Sequence, residues 1–383
     1  MDATRLTDPG FWTDPTPHSW GDTAFNLWCE SQDALQGHVL FQTSGSSGAP
    51  KWIALSKNAL LLSAMAVNRH LKVEPEDVWG LALPLRHVGG FGVVARAFEG
   101  ACRLAVYPGK WQAQAFTGWV EREGVTLTSM VPTQVYDLVT AELRCPSSLR
   151  AVVVGGGRLD ETLGQQARDL GWPVLASYGM TETGSQIATQ SLEQLHLPYE
   201  SFPLPLLPIW QVKADEEQRL SISGPALFSG QVTGEAGVWN YEPREGKWHR
   251  TGDRGRVDEN GITILGRADS LLKILGELVD PQQIERDLVE AGGPFPEGSF
   301  AVAAVPANRT GHVLVPVFSG TVDRAQVEAA VDAYNESAPG FRRLLPPMFV
   351  ETLPRSELGK IRRSDLAELA LRGISGLSSP DSQ

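Results

Sequence analysis

The sequence predicts a mixed α/β and α+β protein: a large N-terminal α/β domain with a β-rich subdomain, followed by a small C-terminal α+β domain. Three observations predict it. The 383 residues exceed what one hydrophobic core usually supports. From Val39 onward, short β-rich runs alternate with helical patterns, the mark of a sheet covered by helices. Around residues 204–265 the texture changes to strands with frequent turns, and beyond it comes a compact set of strands and helices.

Taken in order, Val39-Leu40-Phe41 reads as a strand and Ser56 to Leu71 as a helix with Ser56 as its N-cap. Strands follow at Val78 to Leu83, Leu149 to Val154 and Val174 to Ala176. In the β-rich part, Leu220 to Gly224 and Gly261 to Gly266 alternate as strands do. The second domain begins near Arg267-Ala268-Asp269, giving domains 1–266 and 267–383. Asp280 caps a helix with Pro281 at its first position, Gln283 at the capping-box position and Gly292-Gly293 closing it. Strands at Phe300 to Val305 and Val313 to Phe318, a helix from Asp323 to Ser337, a strand at Met348 to Glu351 and a helix from Ser364 complete the set. The Ser- and Pro-rich end, Ser375 to Gln383, is expected to fray.

A formal net charge of -12 argues against nucleic-acid binding and against anchoring on an anionic membrane, which call for clustered Lys and Arg. A small-molecule partner is expected. Cys29, Cys102 and Cys145 are odd in number and lack metal-ligand spacing, so neither a disulfide framework nor a zinc site is indicated. No signal-peptide pattern and no apolar run long enough to span a bilayer occurs, so a soluble cytoplasmic protein without membrane insertion is expected. Whether it forms a homo-oligomer is left open.

The first chemical motif is Thr43-Ser44-Gly45-Ser46-Ser47-Gly48-Ala49-Pro50-Lys51, placed between an apolar strand and an apolar helix. Small residues permit close backbone approach, while hydroxyls, main-chain N-H groups and a Lys are what a polyphosphate needs. The Walker A pattern is not met, because Pro50 precedes the Lys and Trp52 stands where Ser or Thr would hold magnesium. A flexible Gly/Ser linker is the bland alternative.

This loop resembles the signature of the adenylate-forming superfamily of acyl-CoA synthetases, luciferases and peptide-synthetase adenylation domains. Four later segments match in the same order: Ser177-Tyr178-Gly179-Met180-Thr181-Glu182; Arg250-Thr251-Gly252-Asp253; Gly266-Arg267-Ala268-Asp269 with Lys273 and Gly276-Glu277; and Pro354 to Arg363, which contains Lys360. The resemblance implies an enzyme that uses ATP with Mg2+ to convert a carboxylic acid to an acyl-adenylate, with CoA as the thiol co-substrate. It implies that Thr181 contacts the α-phosphate and Glu182 holds the metal, against the alternative of a solvated turn carboxylate. Gly155-Gly156-Gly157 resembles the adenine-pocket turn, with Tyr178 stacking on the base. Asp253 would bond the ribose hydroxyls with Arg267 assisting, where the alternative is a turn cap. Lys360 resembles the mobile catalytic lysine, whose alternative is membership of a solvated basic face with Arg355, Arg362 and Arg363. Asp269 matches the hinge on which the family's mobile small domain turns, and Gly276 the pantetheine tunnel.

Pro84 to Gly90 and the residues that follow, with Thr181 to Ile187, most resemble the o-succinylbenzoate-CoA ligases of menaquinone biosynthesis. In that resemblance His87 gates the acyl carboxylate, Arg96 is the anion contact, and Gly90 and Ser185 line the acyl site. The alternatives are a core histidine and a surface arginine. Thr43 is preceded by 42 residues, fewer than in longer relatives, which suits short forms of these ligases and leaves open what covers the acyl pocket. Leu278 and Ser270 depart from the family's polar and acidic preferences near the hinge. Competing readings are another acyl- or aryl-CoA ligase, an adenylating enzyme that loads a carrier protein, and a non-catalytic nucleotide-binding regulatory protein.

Overall fold

The computed structural model describes residues 3–44, 50–235, 237–268, 271–275, 277–292, 295–296, 298–307, 310–320, 322–356 and 359–377. Among the candidate residues, Gly45, Ser46, Ser47, Gly48, Asp269 and Gly276 lie outside these, as do Ser270 and most of the segment expected to fray. The chain divides into two compact units. The first comprises residues 1–251 and 255–264, the second 252–254 and 265–383.

The first unit is built on a six-stranded sheet in the order Arg103–Val106, Val78–Leu81, Leu127–Met130, Ala151–Val154, Val174–Met180, Ser185–Thr189. The first five strands are parallel and the last is antiparallel. Successive side chains of a strand point to opposite faces. Accordingly Ala151, Val153 and Leu175 enter one core with Phe91 and Leu60, while Val152, Val154, Val174 and Ala176 enter another with Phe116 and Trp172. Burial on both faces explains why the central strands read as continuous apolar runs.

A second sheet has the order His18–Ser19, His38–Ser44, Pro50–Ser56, Gly230–Glu235, Val238–Pro243. Its Val39, Phe41, Ile53 and Leu55 face the main core, and Leu40, Trp52 and Ala54 face a smaller one built with Phe25 of the helix Thr23–Glu30. The β-rich region forms a third sheet, Gln211–Ala214, Arg219–Ser223, His249–Asp258, Gly261–Arg267.

In the second unit the strands Phe300–Ala307, Gly311–Ser319 and Met348–Val350 form a sheet, antiparallel then parallel. The helices Pro281–Gly292 and Arg324–Ser337 contribute Ile284, Leu288, Val327 and Val331 to one core, and Arg363–Leu377 contributes Leu366 and Ala370 to another.

Two expectations are corrected. A strand, Pro50–Ser56, stands before the helix Lys57–His70 and pairs antiparallel with His38–Ser44, Thr43 opposite Lys51. β-branched and aromatic content in Trp52-Ile53 carries this segment as strand before Ser56 caps the helix by accepting from the Ala59 N-H at 3.1 Å. No capping box forms at Asp280: its carboxylate accepts from the Gln282 N-H at 2.9 Å, but the Gln283 amide donates to Asp287 at 2.7 Å. The i,i+4 partner on the helix surface outcompetes the cap.

Candidate active site

In the first unit the Gly155 turn and the Ser177–Glu182 motif lie at or beyond the carboxyl ends of the parallel-paired strands Ala151–Val154 and Val174–Met180, where open parallel sheets place ligands. Gly155 follows Val154 directly, and Gly156 has φ +79°, a conformation for which glycine is suited. The Ser177 hydroxyl donates to the Val154 carbonyl at 3.0 Å, and a Cβ on Gly155 would lie 3.0 Å from that hydroxyl oxygen. Tyr178 is half-buried between the two cores. Gly179 sits at a bulge opposite Ser185 and Gln186, where a Cβ would meet the Ser185 carbonyl oxygen at 1.6 Å.

Thr181 and Glu182 lie in the short 3-10 helix Thr181–Thr183 that ends on Gly184, a left-handed cap. The Thr183 hydroxyl donates to the Met180 carbonyl at 3.0 Å, and the Glu182 carbonyl accepts from the Phe228 N-H at 2.8 Å. The turn is therefore fixed at both ends. Glu182 Oε1 lies 3.6 Å from Lys51 Nζ, which brings together the candidate metal carboxylate and the candidate phosphate lysine. Among the described residues no three His, Cys, Asp or Glu side chains cluster as a ready-made metal cage. One carboxylate beside a phosphate site fits magnesium, which keeps waters and takes most of its protein-side charge from one or two carboxylates plus nucleotide phosphates.

Arg96 gives the clearest geometry. It is 2% exposed, on the helix Val88–Glu99. Nη1 donates to the Ser129 hydroxyl at 3.0 Å and Nη2 to the Ser185 hydroxyl at 3.2 Å, with the guanidinium 5.3 Å from the Trp79 ring. A Cβ on Gly92 would lie 3.1 Å from Nη2. No carboxylate of the described residues reaches ion-pair distance of it. Burial pushes its pKa down to about 9, so at neutral pH the cation persists. The surface reading is thus overturned.

His87 is the half-buried N-cap residue of the same helix, with extended backbone and no side-chain cap bond. Gly90 faces the chain at Leu83-Pro84, where a Cβ would meet the Pro84 carbonyl oxygen at 2.4 Å. Its lack of a side chain is thereby explained by backbone packing. Ser129 was missed by sequence reasoning. Its signal was a pair of hydroxyls, Thr128-Ser129, inside a strand buried at every position.

In the second unit Asp253 and Arg267 pair at 3.6 Å between Oδ1 and Nη1. Asp253, expected in the large domain, groups with the second unit, where the Ala268 N-H also donates to the Gly252 carbonyl at 2.7 Å. Lys360 is exposed, in a turn held by the Ser356 N-H donating to its carbonyl at 2.8 Å. Crowding by protein lowers its pKa by desolvation, Asp253 opposes that and Arg267 adds to it. Its basic neighbours are committed elsewhere. Arg363 makes a two-bond fork with Glu285 at 2.6 and 2.9 Å, Arg362 lies 3.0 Å from Asp365, and Arg355 donates to the Gly359 and Gly298 carbonyls. Lys360 has no carboxylate within ion-pair distance among the described residues.

All three cysteines are free. No helix of the described residues is long and apolar enough to cross a membrane.

A 2-succinylbenzoate-CoA ligase of Bacillus cereus is 30% identical over 349 residues, covering 86% of this chain and 70% of that protein. One of Bacillus mycoides is 28% identical over 343 residues with the same coverage. Among solved structures, o-succinylbenzoate CoA synthetase (MenE) from Bacillus subtilis in complex with the acyl-adenylate intermediate OSB-AMP superposes with a TM-score of 0.70 at 24% identity, covering 86% of this chain and 68% of that one. ATP-bound MatB from Rhodopseudomonas palustris gives 0.71 at 24%, covering 86% and 67%. These two establish the shared fold. The family model of the AMP-binding enzymes matches residues 28–230, and the chain belongs to that family, the adenylate-forming ligases that include the AMP-forming acyl-CoA synthetases.

Proposed function

We propose that this ligase activates an aromatic dicarboxylic acid, o-succinylbenzoate, and converts it to its CoA thioester in the cytoplasm. The observation that carries the reading is Arg96: a fully buried guanidinium, charged at neutral pH, with two serine hydroxyls and, among the described residues, no carboxylate as partners. A buried cation is costly unless an anion completes it. An acid with one carboxylate to activate and a second to anchor supplies that anion, and a guanidinium suits bidentate anchoring. The relatives named 2-succinylbenzoate-CoA ligase support the choice.

In the first half-reaction a carboxylate oxygen of the acid attacks the α-phosphorus of ATP, the bond to pyrophosphate breaks, and an acyl-adenylate forms. The phosphate-loop hydroxyls of Thr43 and Ser44, with Gly45, Ser46, Ser47, Gly48 and Lys51, hold the phosphates, Thr181 donates to the α-phosphate, and Tyr178 with the Gly155 turn receives the adenine. Asp253 and Arg267 read the ribose. Lys360 supplies the positive charge that two anionic reactants require. Glu182 would hold magnesium, which when bound would supply charge neutralisation at the phosphates. In the second half-reaction the thiolate of CoA attacks the acyl carbon, and AMP leaves with the electron pair. His87, Gly90 and Ser185 border the acyl group. Asp269 serves as hinge, and Gly276 leaves room for the pantetheine.

The test is a panel of carboxylic acids assayed for pyrophosphate release, with thioester formation followed in the presence of free CoA. Turnover with o-succinylbenzoate and appearance of its CoA thioester are expected. Turnover only with a fatty or simple aryl acid would overturn the named substrate, and adenylate without any CoA thioester would favour a carrier-loading enzyme.

A further inference from the structure

We propose that Lys57 is a positioning residue for the acyl site, clasping an aromatic N-terminal arm, residues 3–20, against the back of the Val88–Glu99 helix. The proposal rests on the reading of Arg96 as the acid's anchor, and it concerns what holds the helix that carries it.

Lys57 is the first residue of the helix Lys57–His70 and is 4% exposed. Its Nζ donates to the Asp14 carbonyl at 2.7 Å and the Thr16 carbonyl at 3.2 Å, and lies 4.4 Å from the centre of the Phe11 ring. Among the described residues it forms no ion pair with a carboxylate. Between those two carbonyls, that of Pro15 accepts from the Gly37 N-H, and the Lys57 N-H donates to the Gly37 carbonyl at 2.8 Å. Three consecutive carbonyls of the arm are thus held by one lysine and one glycine of the body. Pro15 and Pro17 lack N-H groups, so this stretch cannot organise itself by a local ladder. Its acceptors must be met from outside, and a buried ammonium must find acceptors. Each side of the clasp satisfies a need of the other.

What the clasp secures is aromatic. The Trp12 ring stacks at 5.2 Å on Phe98 and meets Phe91 edge-on at 5.8 Å, while Phe11 and Trp20 approach Phe91 at 6.3 and 6.1 Å. Leu6, whose carbonyl accepts from Trp12 Nε1 at 2.9 Å, is fully buried beside them. Phe91 and Phe98 are seven residues apart and share one face of their helix. Arg96 lies five residues beyond Phe91, about 140° around the axis. The arm therefore presses on one side of the helix while Arg96 projects from another toward Ser129 and Ser185. Release of the arm shifts the helix and, with it, the guanidinium.

The experiment compares Lys57→Met and Lys57→Arg in the full chain, with any acid that supports turnover. Lys57→Met is expected to speed amide exchange within residues 3–20 and to raise the KM for the acid roughly tenfold or more, while the KM for ATP stays within roughly twofold. Lys57→Arg, which can still donate to both carbonyls, is expected to recover most of the acid affinity. Faster exchange with an unchanged acid KM, or equal loss for acid and ATP, would overturn the proposal. Phe11→Leu, which removes the aromatic face beneath the ammonium together with the ring's approach to Phe91, carries the same expectation at smaller size should Lys57→Met fail to fold. If Arg96→Met leaves the acid KM unchanged, the anchor reading fails; if Arg96→Met raises it and Lys57→Met does not, the clasp fails.

Discussion

At the scale of single residues the proposed acyl site turns on one charge. Arg96 is fully enclosed, and both nitrogens that donate in the structure do so to neutral hydroxyls. Hydrogen bonds to a charged group contribute about 1.5–3 kcal/mol each. Arg96→Met is therefore expected to raise the KM for the dicarboxylic acid by about 10- to 100-fold, measured by pyrophosphate release, while a monocarboxylic analogue loses little. Folding should not suffer, because an apolar side chain of similar length replaces a cation that costs energy to bury. The resemblance singled out Arg96 as a candidate anion contact, but its burial was not legible, since an arginine on a helix is ordinarily at the surface. Ser129 was hidden for the opposite reason, being a small polar residue inside a run that reads as strand.

At the scale of elements, the turn from Val174–Met180 into Ser185–Thr189 shapes the side proposed for the nucleotide. Its bulge brings the backbone at Gly179 against Ser185, which itself has φ +123°, outside the region side chains favour. Gly179→Ala would place a methyl on the Ser185 carbonyl, so a loss of about 2 kcal/mol or more is expected in urea unfolding, with ATP affinity falling as well. A midpoint equal to that of the native chain would show that the hairpin yields without cost. The long periodic elements were legible where cap and periodicity agreed, as at Ser56; the Asp323 carboxylate, which accepts from the Ala325 N-H at 2.9 Å, caps its helix without having been read as a cap. The strand Pro50–Ser56 was read as part of a loop-to-helix passage because its pairing partners, in His38–Ser44 and Gly230–Glu235, are set by tertiary contacts that no local pattern reveals. The arm before Trp20 escaped for a similar reason: its shape comes from Lys57 and Gly37, distant in sequence.

At the scale of the molecule, the two units have separate hydrophobic cores. Separate cores make single all-or-none unfolding a poor description. Calorimetry is expected to resolve two transitions, and one transition with equal calorimetric and van't Hoff enthalpies would refute this. The five-motif order that made the family legible says nothing of such energetics, because a motif records what touches a ligand and not what holds a core together. Arg96 links the two subjects. A protein that folds around an uncompensated cation has part of its stability on loan from its substrate, and a bound acid should raise the transition of the first unit by mass action while leaving that of the second in place. In a cell short of that acid, the enzyme's abundance would then follow the supply of what it consumes.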